Sequence, residues 1–309
     1  MAAVPLADDG APATTVVVIH RDRPDRLGAT LEALAAQTVP VRVVLVDSGS
    51  SPANHRLALD LLPRGAEVVR MGGNSGFGPS ANAGWRHFLA HHDGEWVGLC
   101  PHDALPAPDA VERILTAAAA RPRAGLACGD FGDGMTPVVD PYFGAISVPA
   151  TVEEGWEPAG YPHGTLLFAR RGLLEDVGLF DERYFAYCEE ADLGLRARSA
   201  GWEVGLVRGA MVHNPDMSTA SPAVDYLMVR NTLLLVRQHS GRYKAFIRFV
   251  MACSQLVTER GRNPYHDTVA RALALRDFLL GRTGPPPLRT LRPRPRPPRD
   301  APSAGTSRG

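Results

Sequence analysis

The run Thr14-Thr15-Val16-Val17-Val18-Ile19-His20-Arg21-Asp22-Arg23-Pro24 decides the architecture of this chain. Its β-branched half lacks the in-out alternation of a half-exposed strand and predicts a strand buried on both faces. Asp22 and Pro24 mark a turn, after which Leu27, Leu31 and Leu34 recur at helical spacing. The same grammar continues downstream. Val41 to Val46 is a second buried strand stopping at Asp47-Ser48-Gly49-Ser50, Leu57 to Leu62 is helical, and Glu67 to Arg70 is a short third strand. Gly72 to Gly78 is a loop, Ser80 to Ala90 a helix, and Trp96 to Cys100 a fourth strand ending at Pro101-His102-Asp103. Strands alternating with helices at this spacing predict an α/β fold, a mostly parallel sheet flanked by helices. Such sheets bind ligands beyond the carboxyl ends of their strands. The residues that fall there are His20 to Arg23, Asp47, Asn74 and Asp103.

The second half changes character. Gly129 to Pro162 is rich in Gly, Pro and acids and predicts irregular loops and short strands. Gly164 to Arg170 is a compact strand and Leu173 to Phe180 a short helix. Then comes Tyr187-Cys188-Glu189-Glu190-Ala191-Asp192-Leu193-Gly194-Leu195-Arg196, with three carboxylates in four residues at the start of a helix running to about Ala200. Crowded carboxylates repel, so one of them has a raised pKa unless a cation neutralises the group. The plainer alternative is decoration of a helix N-terminus, where the dipole favours anions. Glu203 to Val207 reads as a strand followed by His213. Val224 to His239, Tyr243 to Arg260 and Tyr265 to Leu280 read as amphipathic helices that pack on the core or lie on a membrane surface. Trp85 and Trp202 read as core, and no internal repeat is visible.

Composition excludes several classes. Lys+Arg and Asp+Glu are both 33, so global charge does not argue for nucleic acid. The basic residues are uneven, and 282–309 is a Pro/Arg-rich stretch expected to be a disordered tail. It is either an unselected extension or a contact for anionic lipid headgroups. Cys100, Cys128, Cys188 and Cys253 form no C-x-x-C pair and fit a reducing cytoplasm rather than a disulfide framework. Met1 to Pro12 carries acids rather than a basic start and an apolar run, so no signal peptide is expected. No apolar run is long enough to span a bilayer. The expectation is a soluble cytoplasmic protein, or one peripheral at the inner face of the membrane.

Four segments, in order, resemble the inverting nucleotide-sugar glycosyltransferases of the large family 2, whose Rossmann-like fold is called GT-A. Arg23-Pro24 leading to Leu31, Leu34 and Gln37-Thr38 is similar to that family's opening strand, turn and helix. Val46-Asp47-Ser48-Gly49-Ser50 resembles its V-D-N-G-S motif, and Asn74-Ser75-Gly76-Phe77-Gly78, with Asn82 beyond, its N-x-G-F loop. The most specific segment runs from Gly164 to Trp202 and includes Gly178-Leu179-Phe180-Asp181-Glu182 and the acidic triplet. Within the family, the Glu-Glu-Ala-Asp-Leu-Gly-Leu-Arg string and the later His look like the rhamnosyl and galactofuranosyl transferase branch.

The resemblance implies a flexible 1–12, a GT-A domain over 13–240 and a helical extension over 241–281. Within that domain it implies a donor half at 13–105 and an acceptor and catalytic half at 106–240. It implies transfer from a nucleotide-diphosphate sugar, of the dTDP-rhamnose or UDP-sugar type, to a hydroxyl of a glycan, lipid-linked or natural-product acceptor. A homodimer is compatible with it. Such transfer needs a base for the attacking hydroxyl and positive charge for the departing diphosphate. Glu190 matches the base, usually Asp in relatives, with Glu189 and Asp192 as alternatives, Asp192 being otherwise a structural or acceptor-binding acid near the helix start. Asp103 and His213 match ligands for Mg²⁺ or Mn²⁺, although Pro101 stands where a first metal acid is usual. His102 is a further ligand or only a loop residue. Asp47 matches a contact to nucleotide base or ribose, its alternative being a turn that ends a strand. His20, Arg23, Asn74, Gly76 and Asn82 are implied around the donor, with Gly78 letting backbone approach it. Arg230-Asn231 is implied at a helix position facing the diphosphate, where an Arg suits phosphate, or Arg230 is an ordinary surface Arg. The competing readings are an inactive carbohydrate-binding relative and a nucleotidyltransferase.

Overall fold

The β-branched runs form the centre of the sheet. Alternate residues of β1 (Thr14–His20) fill opposite faces: Val16 and Val18 share a core with Leu27, Leu31 and Leu34 of α1 (Pro24–Ala35). Val17 and Ile19 share the other core with Trp85 and Phe88. Both faces are dry, which is why the run needs no polar alternation. The computed structural model describes residues 13–215, 221–259, 266–287 and 291.

Next come β2 (Val41–Asp47), α2 (Pro52–Asp60), β3 (Glu67–Arg70), α3 (Phe77–His91) and β4 (Trp96–Pro101). Proline starts both early helices at its tolerated first position, and the Ser51 hydroxyl caps α2 by accepting from Asn54 N–H at 3.3 Å. β1 to β4 are parallel, with His20 opposite Asp47, Asp47 opposite Arg70 and Ile19 opposite Pro101. Their carboxyl ends therefore lie in one row.

The chain continues through β5 (Leu105–Pro106), α4 (Ala110–Ala119), β6 (Ala124–Asp130), β7 (Met135–Asp140), β8 (Gly144–Pro149), β9 (Gly155–Pro158) and β10 (Leu167–Arg170). The last elements are α5 (Arg171–Val177), α6 (Glu189–Ser199), β11 (Glu203–His213), α7 (Pro222–Ser240), α8 (Arg242–Thr258) and α9 (Thr268–Leu279). The central order is β3-β2-β1-β4-β10-β6-β11, with β10 antiparallel to both neighbours and β6 parallel to β11. This is a mostly parallel α/β sheet flanked by helices, as expected. Three elements escape the sequence reading, β5, α4 and β6. Ala124-Gly125-Leu126-Ala127-Cys128-Gly129-Asp130 has no β-branched residue and becomes a strand through its neighbours β10 and β11. β11 also runs on to His213, because its end pairs with β5.

Arg208 of β11 ties the outer strands together. It is buried and donates to Glu157 at 2.6 Å, Asp130 at 3.1 Å, the Thr136 hydroxyl at 2.7 Å and the Met135 carbonyl at 2.8 Å.

Helices α7, α8 and α9 form a layer whose Tyr226, Leu233, Ala252 and Ala274 share a third core with Phe185. Leu291 joins this core, and Gly284 is bonded to Arg183 and Arg230. The tail expected from 282 is thus fastened to the helical layer over its first residues. The rest of it, and the expected flexible 1–12, lie outside the described residues. Among the described residues no helix is long and apolar enough to cross a membrane.

Arg208→Leu leaves two buried carboxylates without their partner, so stability should fall by about 3–5 kcal/mol. Urea denaturation checks this; a loss under about 1 kcal/mol would remove Arg208 as the outer clasp.

Candidate active site

The row of strand ends is knitted by one acid. Asp22, at a left-handed φ of 52°, accepts from Ser51 N–H at 2.8 Å and Asn54 at 3.0 Å, while its own N–H donates to Ser50. The first loop is thereby fastened to the Asp47–Ser50 turn. Asp47 is wholly buried; one oxygen accepts Ser50 N–H at 2.8 Å and the other pairs with His55. Burial is the largest single effect and pushes its carboxyl up, but these contacts together outweigh it and hold the carboxyl below the usual range. Beside it His20 is buried with neither ring nitrogen hydrogen-bonded, and burial together with His102 lowers its pKa to about 4. Arg23 sits on the rim in a two-pronged contact with Asp25, both at 3.1 Å. Asn74 is exposed, and its side-chain oxygen accepts Gly76 N–H at 3.2 Å.

The acidic helix start faces this row from the second half. Phe185, Tyr187 and Cys188, immediately before α6, all have left-handed φ values of 68°, 69° and 74°. Such residues persist only where neighbours over-determine them. Here Asn231 of α7 supplies the constraint: its Nδ2 shares its hydrogens among the carbonyls of Tyr184 (2.9 Å), Ala186 (2.8 Å) and Tyr187 (2.8 Å). Gly76 has φ 91°, and a Cβ there would lie 2.3 Å from the Phe185 carbonyl. The N-x-G-F loop and the acidic loop therefore press directly together.

Glu189 and Glu190 follow. Glu189 is buried with Oε2 unbonded, and burial, helped by Glu190, keeps its carboxyl well above the ordinary range. Glu190 is half-buried, and desolvation raises its pKa to about 7. Removal from water thus outweighs the pull of the helix N-terminus toward the charged form. Gly164 leaves room for this side chain, since a Cβ there would lie 2.4 Å from Glu190 Oε1. Partial burial and the negative charges of Glu189, Glu190 and Asp103 push the Tyr187 phenol up to about 12. One ring therefore feels acids from both halves of the chain.

Asp103 is half-buried after β4, and its Oδ1 accepts from Asn214 at 3.3 Å. The β5–β11 pairing sets His213 opposite Leu105, two residues past Asp103, with its imidazole exposed. The chain at His213 is thus brought beside the segment that follows Asp103, by a pairing that the sequence did not announce.

Other residues implied at the site are occupied by the protein itself. Asp192 is buried and accepts from Arg196 at 2.8 Å, Gln238 at 2.9 Å and His239 at 2.7 Å, so it bolts α6 to α7 rather than facing a substrate. Asn82 spends its amide on Phe180 and Glu182. Arg230 is buried and donates to Asn231, Tyr184 and Gly284, so it braces the loop instead of reaching a diphosphate. The close approach allowed by Gly76 is to Phe185. Of the two tryptophans read as core, Trp85 is fully buried, while Trp202 is partly buried and donates to Asp176 at 2.8 Å. Residues the sequence reading missed are Asn214, His55 and Tyr187 in its contact role, although Tyr187 opens the quoted acidic motif. Asn231, read with Arg230 as a diphosphate position, instead holds the loop before α6.

A cavity of about 400 Å³ between α7 and α9 is lined by Arg183, Arg230, Arg237, Phe278 and Arg282, and not by Glu190, Asp103 or His213. The strand-end site is the one that gathers the acids.

Two outcomes follow from the buried acids and their support. Glu189 binds its proton more tightly folded than unfolded, so it favours the native state at low pH and that stability is lost as pH rises through its folded pKa. Glu189→Gln should therefore flatten the decline of stability as pH rises above the ordinary carboxylate range, followed by urea denaturation, and an unchanged slope would contradict the buried acid. Asn231→Ala strands buried carbonyls and should cost about 2–3 kcal/mol, taking a carbonyl's burial cost as about 1–3 kcal/mol.

Comparison with known proteins agrees with the fold. The model of glycosyl transferase family 2 matches residues 15–176, just over half of the chain. The chain is 28% identical over 246 residues to the N-acetylglucosaminyl-diphospho-decaprenol L-rhamnosyltransferase of Mycobacterium tuberculosis, covering 69% of this chain and 80% of that one. A mannosyltransferase from Pyrobaculum calidifontis, solved with GDP-Man and Mn²⁺, superposes with a TM-score of 0.55 at 17% identity, covering 88% of this chain and 90% of that one. The S. aureus TarS structure gives 0.51 at 16% identity, covering 80% of this chain but only 43% of TarS. At these identities the solved structures speak to the fold alone. The family match and the shared sheet make this chain a member of glycosyl transferase family 2, a nucleotide-sugar glycosyltransferase of GT-A fold.

Proposed function

We propose that the chain moves a sugar, with inversion, from a nucleotide-diphosphate donor of the dTDP-rhamnose type to a hydroxyl of a lipid-linked glycan. The observation that carries the chemistry is Glu190, a half-buried carboxyl with a pKa of about 7 at the mouth of the strand-end row. A base poised near the working pH accepts a proton effectively. Glu190 takes the proton of the acceptor hydroxyl as its oxygen bonds to the anomeric carbon. The bond from that carbon to the diphosphate breaks, and nucleoside diphosphate leaves. Buried Glu189, kept neutral, adds no second negative charge beside the base.

The 13–105 half holds the donor. His20, with two unbonded ring nitrogens beside Asp47, offers polar atoms to the nucleoside, while Arg23 and Asn74 stand on its rim. Asp47 shapes the turn beneath. Asp103 and His213 fit a Mg²⁺ or Mn²⁺ ion: carboxylate oxygen with imidazole suits either, and phosphate oxygens and water complete an octahedron. Asn214 takes only one Asp103 oxygen, and the His213 ring is exposed. Bound there, the ion would neutralise charge on the departing diphosphate.

The lipid-linked acceptor is supported by the mycobacterial relative, whose name describes a decaprenol diphosphate substrate. A membrane-facing surface fits it. Tyr243, Phe246, Val250 and Val257 lie along one side of α8 and are 73%, 64%, 50% and 78% exposed. Arg242 and Lys244 flank its start, and no acid occurs before Glu259. An apolar stripe with basic flanks suits an anionic bilayer at the inner face of the membrane.

Release of nucleoside diphosphate tests the reading, using dTDP-rhamnose and UDP-sugars with a polyprenyl-diphosphate N-acetylglucosamine acceptor. Turnover should rise with pH through about 7 as Glu190 loses its proton, and Glu190→Gln should lower kcat by about 10²–10⁴, the span of general-base catalysis. Chelation should abolish turnover, with Mn²⁺ or Mg²⁺ restoring it. Equal background turnover in wild type and Glu190→Gln with every donor would leave an inactive carbohydrate binder. Phe246→Glu should lower co-sedimentation with anionic vesicles without altering turnover on a water-soluble acceptor.

A further inference from the structure

Away from the strand-end row, at the opposite edge of the sheet, three side chains from separate segments converge. Glu67 opens β3, His87 belongs to the last turns of α3, and His92 follows that helix. Their ligating atoms all lie within 4.8 Å of one another. Thr15, beside them, starts β1, whereas His20 and Asp47 end their strands. Thr15 stands five residues before His20, and Glu67 three before Arg70 opposite Asp47, roughly 16 and 10 Å at about 3.3 Å per residue. This group therefore cannot serve the diphosphate.

We infer that Glu67, His87 and His92 form a second, non-catalytic metal site, suited to Zn²⁺, that clips α3 to the edge strand β3. Two imidazoles and a carboxylate are a known zinc donor set, with water as the fourth ligand. His92 is 7% exposed, and its Nε2 has no hydrogen-bond partner. That atom lies 3.3 Å from Glu67 Oε1 without hydrogen-bond geometry. Ligands about 2.0–2.1 Å from a tetrahedral ion stand about 3.3 Å from each other, so this spacing is already that of a coordination edge. His87 Nε2 now bonds the other oxygen, Oε2, at 2.5 Å and must release it to the ion.

Arg42 opposes loading. Its Nη1 is 3.0 Å from His92 Nδ1, while Thr15 Oγ1 is 3.4 Å from the same atom. When Arg42 donates to Nδ1, the neutral ring carries its proton on Nε2. Metal binding to Nε2 releases that proton and places one on Nδ1, facing Thr15 as an acceptor. The guanidinium must then withdraw. The site is a tunable one, and Arg42 sets its affinity.

Zn²⁺ titration by calorimetry, with Co²⁺ absorption as a geometric readout, tests this on the full chain. Asp103→Asn/His213→Ala removes the other candidate ligands and should still bind about one equivalent of Zn²⁺ with a zinc-dependent rise in Tm. Adding His87→Ala or Glu67→Gln to that background should weaken binding at least about tenfold, the smallest loss expected of a ligand when outer-shell partners alone cost 10–100-fold. Adding Arg42→Met should tighten it. Two variants guard against one that fails to fold. No zinc-dependent rise in Tm in the background chain, or equal affinity with and without His87 and Glu67, would overturn the site. Neither result bears on sugar transfer.

Discussion

The amide of Asn231, facing the carbonyls of Tyr184, Ala186 and Tyr187, constrains the stretch on which the rest of the site depends. Three residues there adopt backbone angles that non-glycine residues avoid. Left alone, the loop would relax and carry α6 with it. Arg230 donates to the Tyr184 carbonyl as well and also grips Gly284, so the stretch beyond α9 is fastened to the base of the loop before α6. Gly76 closes the other side by admitting the Phe185 carbonyl. The opening of α6 is therefore specified by side chains of α7 and by the close backbone approach at Gly76.

That rigidity matters because the carboxylates it presents are in an unfavourable setting. A helix N-terminus stabilises anions, yet burial overrides it at Glu189 and Glu190. Asp192, one turn on, follows the opposite rule: Arg196, Gln238 and His239 satisfy its oxygens. Three acids within four residues thus have three environments. One is buried without a cation, one is half-open at the site, and one is fully partnered. Chemical identity and spacing alone do not separate them.

The same division runs through the donor side. Asp47 and Asn82 belong to motifs that resemble donor contacts, but both spend their polar atoms inside the protein. Their effect on a ligand is through the shape of the turn and the seat of α3. His20 is the reverse case, a buried ring with two unspent nitrogens at a strand end. Leaving such atoms unpaired costs free energy, so a bound group that completes them is the natural reason for their place.

How much could be read beforehand follows from the range of each interaction. The two-faced strands Thr14–His20 and Val41–Asp47 were legible because burial on both faces leaves a continuous apolar run. Their parallel order, and the row of polar residues at their ends, came with them. β6 was not legible, since its Ala and Gly residues become a strand only between β10 and β11. The sequence by itself determined the α/β class, the family and the candidate acids at 189, 190 and 103. Only the tertiary structure decided which acids are spent and which are open, that β5 draws His213 toward Asp103, and that Arg230 is a brace. Those outcomes depend on partners between 46 and 111 residues apart, such as Asn214 with Asp103 and Gln238 with Asp192, and no local pattern encodes such pairings.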